Sequence, residues 1–326
     1  MIPGFTDRRR ADTTADYIIS IERSRMFHST SHAFGVLAAV TDDSLAPAVA
    51  SVARALQERR SAVPSILYVI EIGPSMPEAA LVAATLEEQL RNPAMCAKQK
   101  AAMRSVLNLN FGAAAAWPIS IEVGSVAATV VEQARRQHAE LVVMGLNRHA
   151  VVSRMMGKDS AREVMTLGGV PVLAIRQSLT ELPKRVVVAM DFSRASIRAA
   201  CLARRLIDDQ GTLHLLFVES GVPDSTAESA EGLRLIQEKG VASAFSDVVA
   251  ELMPSGGLTI DTVVRRGNPS AEILRFCEDI KPDLIAVGSQ RHRFLDRLLL
   301  GSVARSVAAD GRWSVLVTPP GEAPRP

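Results

Sequence analysis

At 326 residues, 48% of them hydrophobic, the chain is long enough for two domains of ordinary size with buried cores, which excludes disorder of the whole. Lys and Arg number 37 against 35 Asp and Glu, a formal charge of +2 that gives no electrostatic case for a nucleic-acid or membrane partner. No run of about eighteen apolar residues occurs, and no apolar core follows Arg8 to Arg10, so the expected location is cytoplasmic.

Residues 1–33 are charged around a short apolar run, Tyr17 to Ile21, and are expected to be an N-terminal extension, either a docked helix or a frayed arm. A strand is expected at Gly35 to Val40, followed by the helical text TDDSLAPAVASVARAL, a second strand at Ser65 to Ile70, and a helical region from Ala79 to Asn110. After Gly124, a helix with apolar residues at spacings of three and four leads into a buried strand ending at Gly145, and a last strand covers Val170 to Ile175. Polar residues 178–184, with Pro183 among them, read as a linker between a domain at 34–177 and another at 185–319. The second begins with a strand at Arg185 to Met190 and the helical text DFSRASIRAACLARRL. A strand at Thr212 to Glu219, a helical region at Ser225 to Leu252, the strand reaching Gly288 and a last strand at Ser314 to Thr318 complete it, leaving 320–326 as a tail.

These elements are one unit used twice. Gly124 precedes Gly145 by 21 residues, Gly267 precedes Gly288 by 21, and SVAATVVEQARRQHAELVVMGLNR parallels NPSAEILRFCEDIKPDLIAVGSQR. Nearly continuous apolar strands alternating with amphipathic helices predict an α/β fold of two tandem doubly wound domains. Each would have a five-stranded, mostly parallel sheet flanked by helices. Such sheets bind ligands at the carboxyl ends of strands, where strand order reverses.

Cys96, Cys201 and Cys277 are odd in number and widely spaced, and are expected to be buried thiols in a reducing compartment. His28 and His32 lie four apart with no third ligand near, and His138, His149 and His214 are isolated, so no metal site is expected. No Gly-x-Ser-x-Gly elbow, acidic metal pair or phosphate-loop lysine is present, and no catalytic residue is expected; turnover would be weak ATP hydrolysis at most.

The densest signal is LIAVGSQRHRFLDRLLLGSV, residues 284–303, where Gly288 ends an apolar run and Gly301-Ser302 opens a helix 13 residues later. Glycines there let backbone N–H groups approach an anion, and a helix N-terminus adds the positive end of its dipole. The spacing resembles the signature of the universal stress protein family: Gly, two residues, Gly, nine residues, Gly, then Ser or Thr. Arg291 stands at the second glycine. VVVAMDFSRAS, LHLLFVES, GNPSAEIL and PDLIAVGS are similar to that family's blocks, and the resemblance covers nearly all of the chain outside the N-terminal arm and the tail.

That resemblance implies an adenine-nucleotide-binding fold of the alpha-hydrolase-like kind, holding ATP or AMP, with Mg2+ an open addition, and passing the bound state to unidentified protein partners. Asp191 would accept a hydrogen bond from the adenosine moiety and Val218 would pack on the adenine. Gly288 would leave room for the ribose, and the N–H groups of Gly301, Ser302 and Val303 would hold phosphates. Asp191 and Ser302 also suit helix caps, and a valine placed as Val218 is more often plain core. Arg291 would either grip a phosphate bidentately or fill its place, the latter making the protein an interaction module without nucleotide. The first half departs further: Arg148 matches Arg291, Gly157 comes one residue early, Lys158 takes the Ser or Thr place, and Thr41 or Asp42 stands for Asp191 with Val69 for Val218. The resemblance also implies that last strands pair, here within one chain as a pseudo-dimer, with a homodimer of chains left open.

Overall fold

The strand β1 (Phe34–Val40), FGVLAAV, has no polar side chain and six of its seven residues are buried, as an interior strand of a sheet covered on both faces requires. The computed structural model describes residues 34–40, 44–71, 117–146, 160–220, 227–252, 257–289 and 300–319, with isolated residues between 85 and 105; for 227–237 it describes backbone alone. In chain order β1 is followed by α1 (Ala46–Arg60), β2 (Ala62–Ile70), β3 (Ile119–Val123), α2 (Val126–Arg136), β4 (Leu141–Gly145), α3 (Ser160–Leu167) and β5 (Val172–Ile175). The second half supplies β6 (Arg185–Met190), α4 (Arg194–Leu206), β7 (Thr212–Glu219), α5 (Ala227–Leu252), β8 (Thr259–Arg266), α6 (Pro269–Ile280), β9 (Leu284–Gly288), α7 (Ser302–Asp310) and β10 (Ser314–Thr318).

The ten strands form one sheet in the order β3-β2-β1-β4-β5-β10-β9-β6-β7-β8. Ladders inside each half are parallel, for example β1 with β4 and β6 with β9, whereas β5 and β10 meet antiparallel, Leu316 opposite Leu173. The two five-stranded sheets read from the sequence are therefore joined edge to edge through their last strands, which removes two exposed sheet edges. One buried cluster runs through both halves on one face, from Val130 and Val164 through Val172 and Val315 to Val307 and Phe276.

Side chains tie the halves as well. Arg162 donates to the Ala308 carbonyl at 2.9 Å, which gives an orphan carbonyl at the C-terminal end of α7 a partner from α3. Arg60, in the last turn of α1, donates through Nε to the Arg205 carbonyl at 2.9 Å and also to the Ile207 carbonyl and to Asp209, so one guanidinium closes the end of α4.

Two expectations shift. β2 begins at Ala62, ahead of Pro64, because the ladder with β3 starts only at Ile66 and asks nothing of the missing proline N–H. The third strands, β3 and β8, complete the expected five in each half but had been given no bounds: they are edge strands, and β8 carries Asp261, Arg265 and Arg266 among its apolar residues.

The edge strand β8 is held through its neighbour. His214 on β7 faces Asp261, with Nδ1 and Oδ2 3.3 Å apart, and its ring meets Phe276 of α6 edge-on at 5.7 Å. Burial lowers the His214 pKa from 6.5, Asp261 opposes that shift, and Arg185 adds to it. A histidine whose folded pKa lies below its unfolded one stabilises fully above about pH 6.5 and loses that contribution as pH falls toward the folded value. Melting temperature is therefore expected to drop between about pH 7 and about pH 5, with a shallower drop in His214→Gln. Parallel melting profiles for the two proteins would remove His214 as the cause.

Candidate functional site

In the second half, order reverses between β6 and β9: β7 and β8 lie to one side and β10 to the other. Asp191 leaves the carboxyl end of β6 exposed to solvent. Its Oδ1 accepts from the Ser193 N–H at 3.0 Å, an Asx turn, and Ser193, not Asp191, caps α4, its Oγ accepting from the Ser196 N–H at 3.3 Å. Phe192 between them has φ 56°, a left-handed conformation that costs a bulky residue about 1–3 kcal/mol. Its ring is packed 5.1 Å from both Phe217 and Phe245, and these contacts hold the strained turn. Nothing in the residue types announced that turn, since phenylalanine is a poor candidate for positive φ.

Gly288 ends β9 beneath this turn. A Cβ there would lie 2.5 Å from Ala195 C and 2.5 Å from Ser196 N, so the glycine is demanded by the close approach of α4. Thr318 at the end of β10 fixes that approach, its Oγ1 donating to the Ala195 carbonyl at 3.0 Å, while Ser289 N donates to the Thr318 carbonyl at 2.8 Å. Ser289 and Thr318 are buried polar residues that the sequence reading did not single out.

The N-terminus of α7 is capped by Gly301, with φ −55°, ψ 160° and no side-chain acceptor. A Cβ at Gly301 would meet nothing within 4 Å. Ser302 is exposed and is the first helical residue, not the cap, and Val303 is half-buried against the core cluster. The site therefore offers backbone donors and a dipole end that no side chain caps among the described residues. Val218 is 8% exposed and belongs to the cluster containing Val307 and Phe276, on the α6 and α7 face of β7.

The first half has the same frame with different fillings. Gly168 and Gly311, 143 residues apart, both adopt positive φ after α3 and α7. Buried Ala161, Val164 and Met165 stand 143 residues before buried Ala304, Val307 and Ala308, and Gly145 stands 143 before Gly288. Spacing between glycine and helix is thus equal in the halves, which corrects the reading of Gly157 as an early counterpart of Gly301. By sequence place, Lys158 matches Gly301 and Asp159 matches Ser302. In the buried frame, Leu45 lies against Gly145 where Ala195 lies against Gly288, and Leu146 and Ile175 replace Ser289 and Thr318.

Arg291, Arg148, Thr41, Asp42, Gly157, Lys158, Cys96, His28, His32 and His149 lie outside the described residues. Cys277 is fully buried, and burial pushes its thiol up to about 12, whereas Cys201 is half-exposed against the expectation of a buried thiol, because the face of α4 that carries it is not fully covered. Among the described residues no group of three His, Cys, Asp or Glu is placed to hold a metal ion, and no helix is long and apolar enough to cross a membrane.

The sequence profile of the universal stress protein family matches residues 35–176 and again residues 183–319. Universal stress protein MJ0531 of Methanocaldococcus jannaschii is 30% identical over 139 residues, spanning 42% of this chain and 82% of that protein. Among solved structures, a universal stress protein from Archaeoglobus fulgidus superposes with a TM-score of 0.57 at 17% identity, covering 89% of this chain and 100% of that one. A universal stress protein from Pseudomonas aeruginosa gives 0.56 at 15% identity, covering 88% and 93%.

Proposed function

Because the chain belongs to the universal stress protein family in tandem form, we propose that its second half binds an adenine nucleotide, ATP or AMP, and relays that state to protein partners in the cytoplasm. The observation that carries this reading is the open N-terminus of α7: Gly301 caps it without a side chain, with open space where a Cβ would point. Phosphate oxygens would accept from the N–H groups of Gly301, Ser302 and Val303, and the Arg291 guanidinium would add a bidentate contact. Asp191 would accept from the adenosine moiety and Val218 would border the base. Mg2+, where present, would balance phosphate charge. The reading assigns binding, and no residue is given a catalytic role.

The first half is read as a structural partner without nucleotide. Leu45, Leu146 and Ile175 occupy its frame, and by sequence an acidic residue, Asp159, replaces Ser302, a charge unfavourable to phosphate.

Calorimetric titration with ATP and with AMP tests the proposal. One site per chain is expected, weakened at least about tenfold in Asp191→Ala, the loss of one charge-assisted hydrogen bond. Arg291→Gly separates the two roles of the arginine: a lower affinity supports phosphate contact, a higher one means that Arg291 had filled the site. Flat titrations with both the parent protein and Arg291→Gly would overturn nucleotide binding.

A further inference from the structure

A groove of about 760 Å3 lies between α5 and the edge strand β8. It is on the opposite face of the sheet from Val218, since successive strand residues alternate and Glu219 lines it. The groove exists because α5 is drawn over β7 by the contacts of Phe245 with Phe192 and of Phe192 with Phe217, leaving one face of β8 uncovered. Its walls are Val241, Phe245 and Val249 of α5 and Val264 of β8, the last 52% exposed. Its volume is that of pockets for small organic ligands, and its lining is of the same kind, apolar with a few polar groups at one end.

That polar end consists of Glu219, Glu238 and Arg266. Arg266 donates from Nε to Glu219 Oε2 at 2.7 Å and from Nη2 to Glu238 Oε1 at 3.2 Å. The Glu219 side chain is only 11% exposed, and its Oε1 has no hydrogen-bond partner among the described residues. Two carboxylates against one guanidinium leave this end with one net negative charge. The fold does not require the arrangement: the equivalent cross-strand pair in the first half is Ile70 with Val123, where the second half has Glu219 with Arg266.

The geometry points to a second ligand site in this groove, for a small amphiphile with an apolar body and a protonated amine head. The ammonium group donates to Glu219 Oε1 and to Glu238, and the apolar body lies along Val241, Phe245, Val249 and Val264. A carboxylate head is rejected: it would face buried Glu219 and would have to break the Arg266–Glu238 pair.

Octylamine, octanoate and octanol, each below its micelle concentration, are the probes, titrated into the full chain at neutral pH and followed by ligand-observed NMR. Octylamine is expected to bind at one saturable site, at least about tenfold more tightly than octanoate. Glu219→Gln keeps an acceptor for Arg266 and is expected to weaken octylamine about tenfold while leaving octanol unchanged. Val264→Lys alters an exposed side chain, so folding is preserved, and weakens all probes that bind. Octanoate binding as tightly as octylamine, or octylamine affinity unmoved in both variants, overturns the proposal. So does dissociation of a chain dimer by Val264→Lys, which would make the groove an interface between copies.

Discussion

Replacing Gly288 by alanine is expected to destabilise the protein by about 3 kcal/mol, and by valine more, read as a lowered urea midpoint at unchanged slope. The new Cβ would lie 2.5 Å from two backbone atoms of α4, Ala195 C and Ser196 N. That backbone is anchored by Thr318 Oγ1 on the Ala195 carbonyl and by the Ser193 cap, so it has little freedom to retreat. Gly145 gives the internal control. There the nearest atom to an added Cβ is Leu45 Cδ1, also at 2.5 Å, with Leu45 Cβ at 2.8 Å. A side chain can turn part of the way aside, so Gly145→Ala is expected to cost at least about 1 kcal/mol less than Gly288→Ala. Equal costs would mean that backbone contact is not what the second glycine accommodates. Gly301→Ala completes the series: with nothing within 4 Å and φ −55°, it should cost less than about 1 kcal/mol of stability.

These contacts also explain why the halves differ as candidate sites although their frames coincide. In the second half the strand-to-helix turn is built from polar bonds: Asp191 to Ser193, Ser193 to Ser196, Thr318 to Ala195. It needs no large side chain above Gly288, and the left-handed Phe192 is held from behind by Phe217 and Phe245. In the first half, Leu45 does the packing that Thr318 and the cap do in the second, and it is buried at 6% exposure. A turn held from below by hydrogen bonds leaves its upper surface to a ligand; a turn held by an apolar plug does not.

The repeat and the parallel strands were legible in the sequence because each rests on local pattern: apolar strands, helical periodicity and glycines at equal intervals; the joining of last strands followed only from the family resemblance. The edge strands were expected in number but not in bounds, since β8 mixes Asp261, Arg265 and Arg266 with valines and depends on β7 for its pairing. Gly288, Gly301 and Ser302 were picked out by spacing, but spacing does not distinguish a glycine that a helix presses upon from one that faces open space. That distinction depends on segments distant in the chain. The equal spacing of the first half was hidden because Gly157 drew the alignment to itself; the buried face of α3 restored it. Ser289, Thr318 and Phe192 carry ordinary residue types whose roles arise only when β6, β9 and β10 stand side by side.

The junction of the halves gives the other large effect. Leu316 and Leu173 face each other across β10 and β5, exposed by 0% and 1%, in the middle of the shared sheet. Leu316→Asp would bury a carboxylate with no partner there, at a cost of at least about 4 kcal/mol, and would break the apolar continuity between halves. The chain holds two tryptophans, Trp117 in the first half and Trp313 in the second, so each half has its own reporter. Trp117 is nearly buried with its Nε1 donating to Gln57 Oε1 at 2.9 Å, and Trp313 lies under the Arg312 guanidinium at 4.4 Å. Single-tryptophan proteins, Trp117→Phe and Trp313→Phe, serve as parents. Since one buried cluster runs through both halves, the two reporters should give the same urea midpoint. With Leu316→Asp added, the midpoints should separate and both should fall. Separate midpoints in the parents would mean that the halves fold independently and that the β5–β10 ladder is a contact between finished domains. Coincident midpoints retained in Leu316→Asp would place the coupling in the bridges from Arg60 and Arg162, and removing either guanidinium should then divide the transition.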